Sequence, residues 1–117
     1  MADENGFHIA MFPWFATGHM TPFLHLSNKL AEKGHRISFL LPNKAKHQLE
    51  HLNLHPSLIT FYTLTVPHVE GLPPGTETAS DVPIFLTSLL ATAMDNMRDR
   101  VRDLLQKLKP SIVFYDM

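Results

Sequence analysis

The 117-residue chain contains no cysteine, which excludes disulfide frameworks and Cys-ligated zinc and leaves a reducing compartment permitted. It also lacks an excess of either charge, with 10 Lys and Arg against 11 Asp and Glu and a formal net charge of -1. Without a Lys/Arg cluster, nucleic acid and anionic membrane surfaces are not expected as main partners. Long apolar runs are missing too. The opening Met1-Ala2-Asp3-Glu4-Asn5-Gly6 is acidic and polar, lacks a basic n-region, and leads into an apolar stretch too short for a signal core or a membrane span. These absences describe a soluble, cytoplasmic protein. Neither G-x-G-x-x-G nor G-x-x-x-x-G-K-[ST] occurs, so nothing supports a dehydrogenase or an NTPase. No internal repeat or low-complexity tract is visible.

What is present, 44% hydrophobic residues in a chain of this length, suffices for one core and one domain. Phe7 to Phe12 is a short apolar run ended by Pro13, the pattern of a strand buried in a parallel sheet. Thr21 and Pro22 then read as N-cap and first residue of a helix, with Phe23, Leu26 and Leu30 at helical spacing up to Gly34. Arg36 to Leu41 before Pro42-Asn43 predicts a second strand, Lys44 to Leu52 a short helix, and the β-formers of Leu58 to Leu64 a third strand. Val66 to Val82, with Pro67, Gly71 and Pro73-Pro74-Gly75, predicts a long loop of the functional kind. Asp81 is placed to cap one long helix whose stripe is Leu86, Leu90, Ala93, Met97, Val101, Leu104 and Leu108. Lys107 and Lys109 suit its carboxyl end, Pro110 stops it, and Ser111 to Tyr115 reads as a fourth strand with Asp116 at its tip.

This alternation implies an α/β fold with a mainly parallel sheet and right-handed crossovers. A parallel strand followed by nothing is a poor place for a domain to stop. The chain therefore reads as a fragment, either a cleaved product or one piece of a longer protein.

In such sheets the loops at the carboxyl ends of the strands line the ligand crevice, and His19 is expected in the first of them. A nearby helix N-terminus favours the neutral ring, able to accept a proton as a general base. On position alone His19 equally fits a residue that packs under the turn. Asp116 falls at the same sheet edge and could meet it, fixing the tautomer of the ring and stabilising the imidazolium. The alternative for Asp116 is an ordinary acid at a strand end. His47, His51 and His55 have a formal metal-ligand spacing, but Asn53 and Pro56 interrupt any helix through them, so they read as a solvated face and no metal is expected. His8, His25, His35 and His68 read as structural.

The string Phe12-Pro13-Trp14-Phe15-Ala16-Thr17-Gly18-His19-Met20-Thr21-Pro22-Phe23-Leu24, then Leu30 to His35 and Ile37 to Leu41, closely resembles the N-terminal domain of plant UDP-sugar-dependent glycosyltransferases. Leu52 to Pro56, Leu64 to Pro73 and Glu77 to Pro83 resemble in particular the branch-forming members that glycosylate the sugar of a flavonoid or other glycoside. The resemblance spans nearly the whole chain. It implies a GT-B-type fold of two facing Rossmann-like halves, the first holding the acceptor and the second the UDP-sugar. Residues 1–117 would be an incomplete first half, with the rest of the enzyme as the missing partner, in the same or another chain. It further implies that His19 is the general base of an inverting, metal-free transfer, that Asp116 orients it, and that UDP-sugar is a co-substrate, with no cofactor. By the same resemblance Ile84, Phe85 and Ser88 shape the acceptor site. Phe15, just ahead of the base, is expected to line the acceptor pocket, and Thr17 and Gly18 to approach the donor. The alternative for Ile84 and Phe85 is plain core. The alternative function is a non-catalytic acceptor-binding fragment without a donor site.

Overall fold

A computed structural model of the protein describes residues 6–116; the polar opening segment 1–5 and residue 117 lie outside the described residues. Four strands, β1 (His8–Phe12), β2 (Arg36–Pro42), β3 (Ile59–Leu64) and β4 (Ile112–Tyr115), form one sheet in the order β3-β2-β1-β4, with every pairing parallel. The apolar runs became strands because both faces of the inner pair are covered. From Ile37 to Pro42 every residue of β2 is buried, which favours unbroken hydrophobicity over alternation. Edge strand β3 is buried only at Ile59 and Leu64.

The helices are α1 (Thr17–Glu32), α2 (Asn43–Leu49), α3 (Thr87–Asp95) and α4 (Arg98–Leu108). Met11, Phe15, Leu24, Phe39, Leu40 and Leu41 lie at the centre of one core that α1, α2, α3 and α4 all enter. Phe39 meets Phe61 edge to face, with ring centroids 5.6 Å apart. Among the described residues no helix is long and apolar enough to cross a membrane.

Three expected boundaries are corrected. Helix α1 starts one turn before Thr21: Ala16, extended at φ -138 and ψ 141, is its N-cap, and the Ala16 carbonyl accepts from His19 N and Met20 N at 2.9 and 2.8 Å. Burial of Phe15 and Met20 outweighs the cap signal of Thr21-Pro22, and Pro22 becomes an interior residue. The buried face of α1 is accordingly Met20, Leu24, Ser27, Asn28 and Ala31, while Leu26 is exposed. Second, Asp81 caps a 3-10 turn, Ala79–Asp81, and not the helix that follows. Third, the long helix is broken at Asn96-Met97 into α3 and α4, although Leu90, Ala93, Met97 and Val101 of its stripe are buried as expected. In addition, α2 ends at Leu49 and tightens into a 3-10 turn, Glu50–Leu52.

The stop of α1 follows the sequence reading. Gly34, at φ 90, donates to Ala31 O at 2.9 Å and His35 donates to Leu30 O at 3.2 Å, a Schellman closure that needs the left-handed conformation. Pro22, by contrast, cannot donate to the Gly18 carbonyl, and its ring crowds that group. Pro22→Ala is therefore expected to raise stability by about 1–3 kcal/mol, less whatever is returned as unfolded-chain entropy, read as a shift of the urea midpoint.

Candidate active site

The strand order sets the site. The chain moves from β1 to β2 to β3 in one direction and then returns to place β4 on the far side of β1, so the switch point lies between β1 and β4. Their register ends on Phe12 opposite Tyr115, which brings Asp116 beside the turn that leaves β1. Right-handed crossovers then put α1 and α2 on one face and α3 and α4 on the other, leaving the carboxyl ends of β1 and β4 open between them.

Asp116 ties this edge together. Its Oδ1 accepts from the Trp14 backbone N–H at 2.6 Å, and its Oδ2 meets His19 Nδ1 at 2.6 Å. His19 is in the first turn of α1, not in a loop ahead of the helix. A carboxylate has no proton to give, so Nδ1 carries a hydrogen, and in the neutral ring the lone pair is on Nε2. Burial pushes the Asp116 carboxyl up, but the hydrogen bonds from His19 and Trp14 and the His19 charge together outweigh it and hold the group below its ordinary 3.8. The side chains are 50% and 34% exposed for His19 and Asp116, leaving the pair open to an incoming molecule. The arrangement can take a proton at Nε2 and stabilise the resulting positive charge through Asp116.

The other expected site residues divide. Thr17 and Gly18 are the first two residues of α1 and both are exposed; a Cβ built on Gly18 would meet nothing within 4 Å. Ile84 and Phe85 form a 3-10 turn with Leu86 and are 90% and 76% exposed, so the plain-core alternative fails for both. Ser88, in the first turn of α3, is also exposed. Phe15 is corrected: it is fully buried and packs edge to face on Phe12, so it offers no surface to a ligand. Its place near His19 is a consequence of the turn folding inward.

Two hollows open along the same sheet edge. One, of about 580 Å³, is lined by Phe12, Met94, Asp95, Arg98, Val101 and Tyr115; the other, of about 220 Å³, includes Asn43, Thr65, His68 and Glu77. His19 and Asp116 line neither and stand on the open surface.

Sequence reasoning missed two arrangements. The Trp14 N–H on Asp116 is a backbone contact that no side chain signals. Thr78 and Asp81 form a reciprocal capping box around Ala79–Asp81, which the pattern T-x-x-D could have revealed. Away from the site, His8 Nε2 lies 2.7 Å from the hydroxyl of buried Ser38, and His35 Nδ1 accepts from the Phe7 N–H at 2.9 Å. His47 ends in α2 while Asn53 is extended, so no continuous helix aligns His47, His51 and His55.

The shifted groups predict the acid response. Burial pushes the Asp81 carboxyl up, but hydrogen bonds from Glu77, Lys44 and Thr78 hold it below 3.8, like Asp116. A carboxyl whose folded value is depressed adds stability that is complete above its unfolded value and is lost as pH falls through the folded one. Burial, then the Arg36 charge, lower the His8 ring from 6.5, partly offset by a hydrogen bond to the Leu108 backbone. The fold thus favours neutral His8, and stability begins to fall as pH drops below 6.5. Melting temperature measured against pH is expected to decline gently from there, a phase that His8→Gln removes, and steeply below 3.8.

Comparison with known proteins agrees with this fold. The family model described as "Glycosyltransferase, N-terminal domain" matches residues 5–116. An anthocyanidin 3-O-glucoside 2'''-O-xylosyltransferase of Arabidopsis thaliana is 63% identical over 114 residues, 97% of this chain and 24% of that protein. A cyanidin 3-O-galactoside 2''-O-xylosyltransferase of Actinidia chinensis var. chinensis is 64% identical over 110 residues, 94% of this chain and 24% of that protein. The chain thus spans about a quarter of the length of these curated relatives. The crystal structure of Arabidopsis thaliana UGT89C1 superposes with a TM-score of 0.86 at 24% identity, covering 96% of this chain and 29% of that one, a likeness of fold. With its parallel Rossmann-like sheet and this match over nearly its whole length, the chain belongs to the glycosyltransferase N-terminal domain family.

Proposed function

We propose that this chain is the acceptor-holding part of an inverting UDP-sugar-dependent glycosyltransferase that acts on a hydroxyl of a small plant glycoside, the sugar of a flavonoid glycoside in particular. The observation that carries this reading is the 2.6 Å contact between His19 Nδ1 and Asp116 Oδ2. It leaves Nε2 as the acceptor of the hydroxyl proton. As that proton moves to Nε2, the acceptor oxygen forms a bond to the anomeric carbon. The bond from that carbon to the diphosphate breaks, and UDP leaves with the electron pair. Asp116 balances the charge on the imidazolium, and no metal is needed to balance the step.

The similarity to two xylosyltransferases that act on anthocyanidin and cyanidin glycosides supports this acceptor class. Exposed Ile84 and Phe85, with Ser88, supply an apolar and polar wall for the acceptor. Thr17 and Gly18 face the donor side. The donor half is the remaining polypeptide, continuous with this chain or separate from it, and the assembly works in the cytoplasm without a cofactor.

UDP release tests the reading. Protein containing this chain and its donor half is supplied with UDP-xylose, UDP-glucose or UDP-rhamnose and a flavonoid 3-O-glucoside. Release that depends on His19 supports the transferase. Acceptor binding without release from any donor would leave a non-catalytic acceptor-binding module in its place.

A further inference from the structure

The acceptor wall of the proposed function hangs on the end of a long loop, residues 65–83, which carries Pro67, Pro73, Pro74 and Pro83 and two glycines at positive φ, Gly71 (98) and Gly75 (81). A loop of that length has to be held if its end is to present Ile84 and Phe85 at a fixed place. Asp81 closes the final turn, its Oδ2 accepting from Glu77 N at 3.0 Å and Thr78 N at 3.1 Å. The remaining oxygen, Oδ1, accepts from Lys44 Nζ at 2.9 Å. Lys44, the second residue of α2, also donates its backbone N–H to Glu77 Oε1 at 3.0 Å, so one residue grips the turn at both ends. From the other side, Ala79 N donates to Phe15 O at 2.8 Å, four residues before His19. Phe15 is locked in the core.

We infer that Lys44 and Asp81 are positioning residues for the acceptor: they strap the 77–81 turn to α2 so that Ile84 and Phe85 stand at a set distance from His19. This rests on the proposed function and extends it to residues outside the reacting groups. Stability alone does not account for Lys44. The side chains of the ion pair are 43% and 21% exposed, and such pairs add little to folding. The capping box closes the turn through Thr78 and Asp81 without help from Lys44. What the lysine adds is a fixed offset between two elements at the carboxyl edge of the sheet.

A flavonoid 3-O-glucoside is titrated calorimetrically into protein containing this chain and its donor half, which gives its Kd. Lys44→Met and Asp81→Asn are each expected to weaken binding by about tenfold, Lys44→Arg to restore it to within about twofold, and the melting temperature of Lys44→Met to hold within about 2 °C. In a Phe85→Ala background Lys44→Met should add nothing, because Lys44 acts through that wall. An unchanged Kd in Lys44→Met overturns the inference. So does a loss that persists undiminished in Phe85→Ala, a fall in the melting temperature of Lys44→Met that tracks the loss of binding, or a wild-type protein that does not bind the glycoside. Failure of the proposed function is read elsewhere, as intact binding with no UDP release from the complete enzyme.

Discussion

His19→Ala is expected to lower kcat for sugar transfer by about 100- to 10,000-fold while leaving acceptor affinity within about twofold. The size follows from what is lost. Without Nε2 the hydroxyl proton must leave to water, and the attacking oxygen stays a poor nucleophile at neutral pH. The fold should tolerate the change, because His19 is half exposed and Asp116 keeps its second contact, the Trp14 N–H. Initial rates of UDP release over a range of acceptor concentrations separate kcat from KM. Transfer that survived at a tenth of the wild-type rate or more would remove His19 from the role of base.

Asp116→Asn is expected to lower kcat by about 100- to 10,000-fold as well, although it changes one atom. An amide at 116 would keep its oxygen on the Trp14 N–H and turn its NH₂ toward His19 Nδ1. Nδ1 would then have to accept, which moves the ring hydrogen to Nε2 and blocks the base. Asp116→Ala, which imposes no tautomer, should be less harmful than Asp116→Asn. That order separates orientation by the carboxylate from simple loss of charge. Ring ¹⁵N shifts of His19 report the tautomer directly, and an Asp116→Asn protein with a protonated Nδ1 would contradict the argument.

Much of the architecture was legible because burial speaks through runs of residues. Ile37 to Leu41 could hardly be anything but an inner strand, and Gly34 marks the end of α1 by a conformation few other residues adopt. The meeting of His19 and Asp116 was legible from topology, since both follow strands that adjoin at a switch point. Where α1 begins was not. Thr21-Pro22 is a strong local signal, and it lost to the burial of Phe15 and Met20, which depends on contacts distant in sequence. The break at Asn96-Met97 was hidden because Met97 stays buried on either side of it and keeps the apolar stripe continuous. Phe15 misled for a related reason: an aromatic beside a base suits a pocket wall and a core equally well, and only the path of the turn decides. Lys44 and Asp81 lie 37 residues apart, and no local pattern joins them.

Strand β4 has a consequence for handling this chain apart from the rest of its polypeptide. Ile112, Val113, Phe114 and Tyr115 are 37%, 37%, 39% and 68% exposed, in an edge strand without a charged residue, proline or bulge among them. Such an edge is a template for a strand from another molecule, and nothing in these four side chains discourages the pairing. At high concentration this chain by itself should self-associate edge to edge and scatter light on warming. Val113→Lys, a single gatekeeping charge, is expected to keep it monomeric by sedimentation velocity.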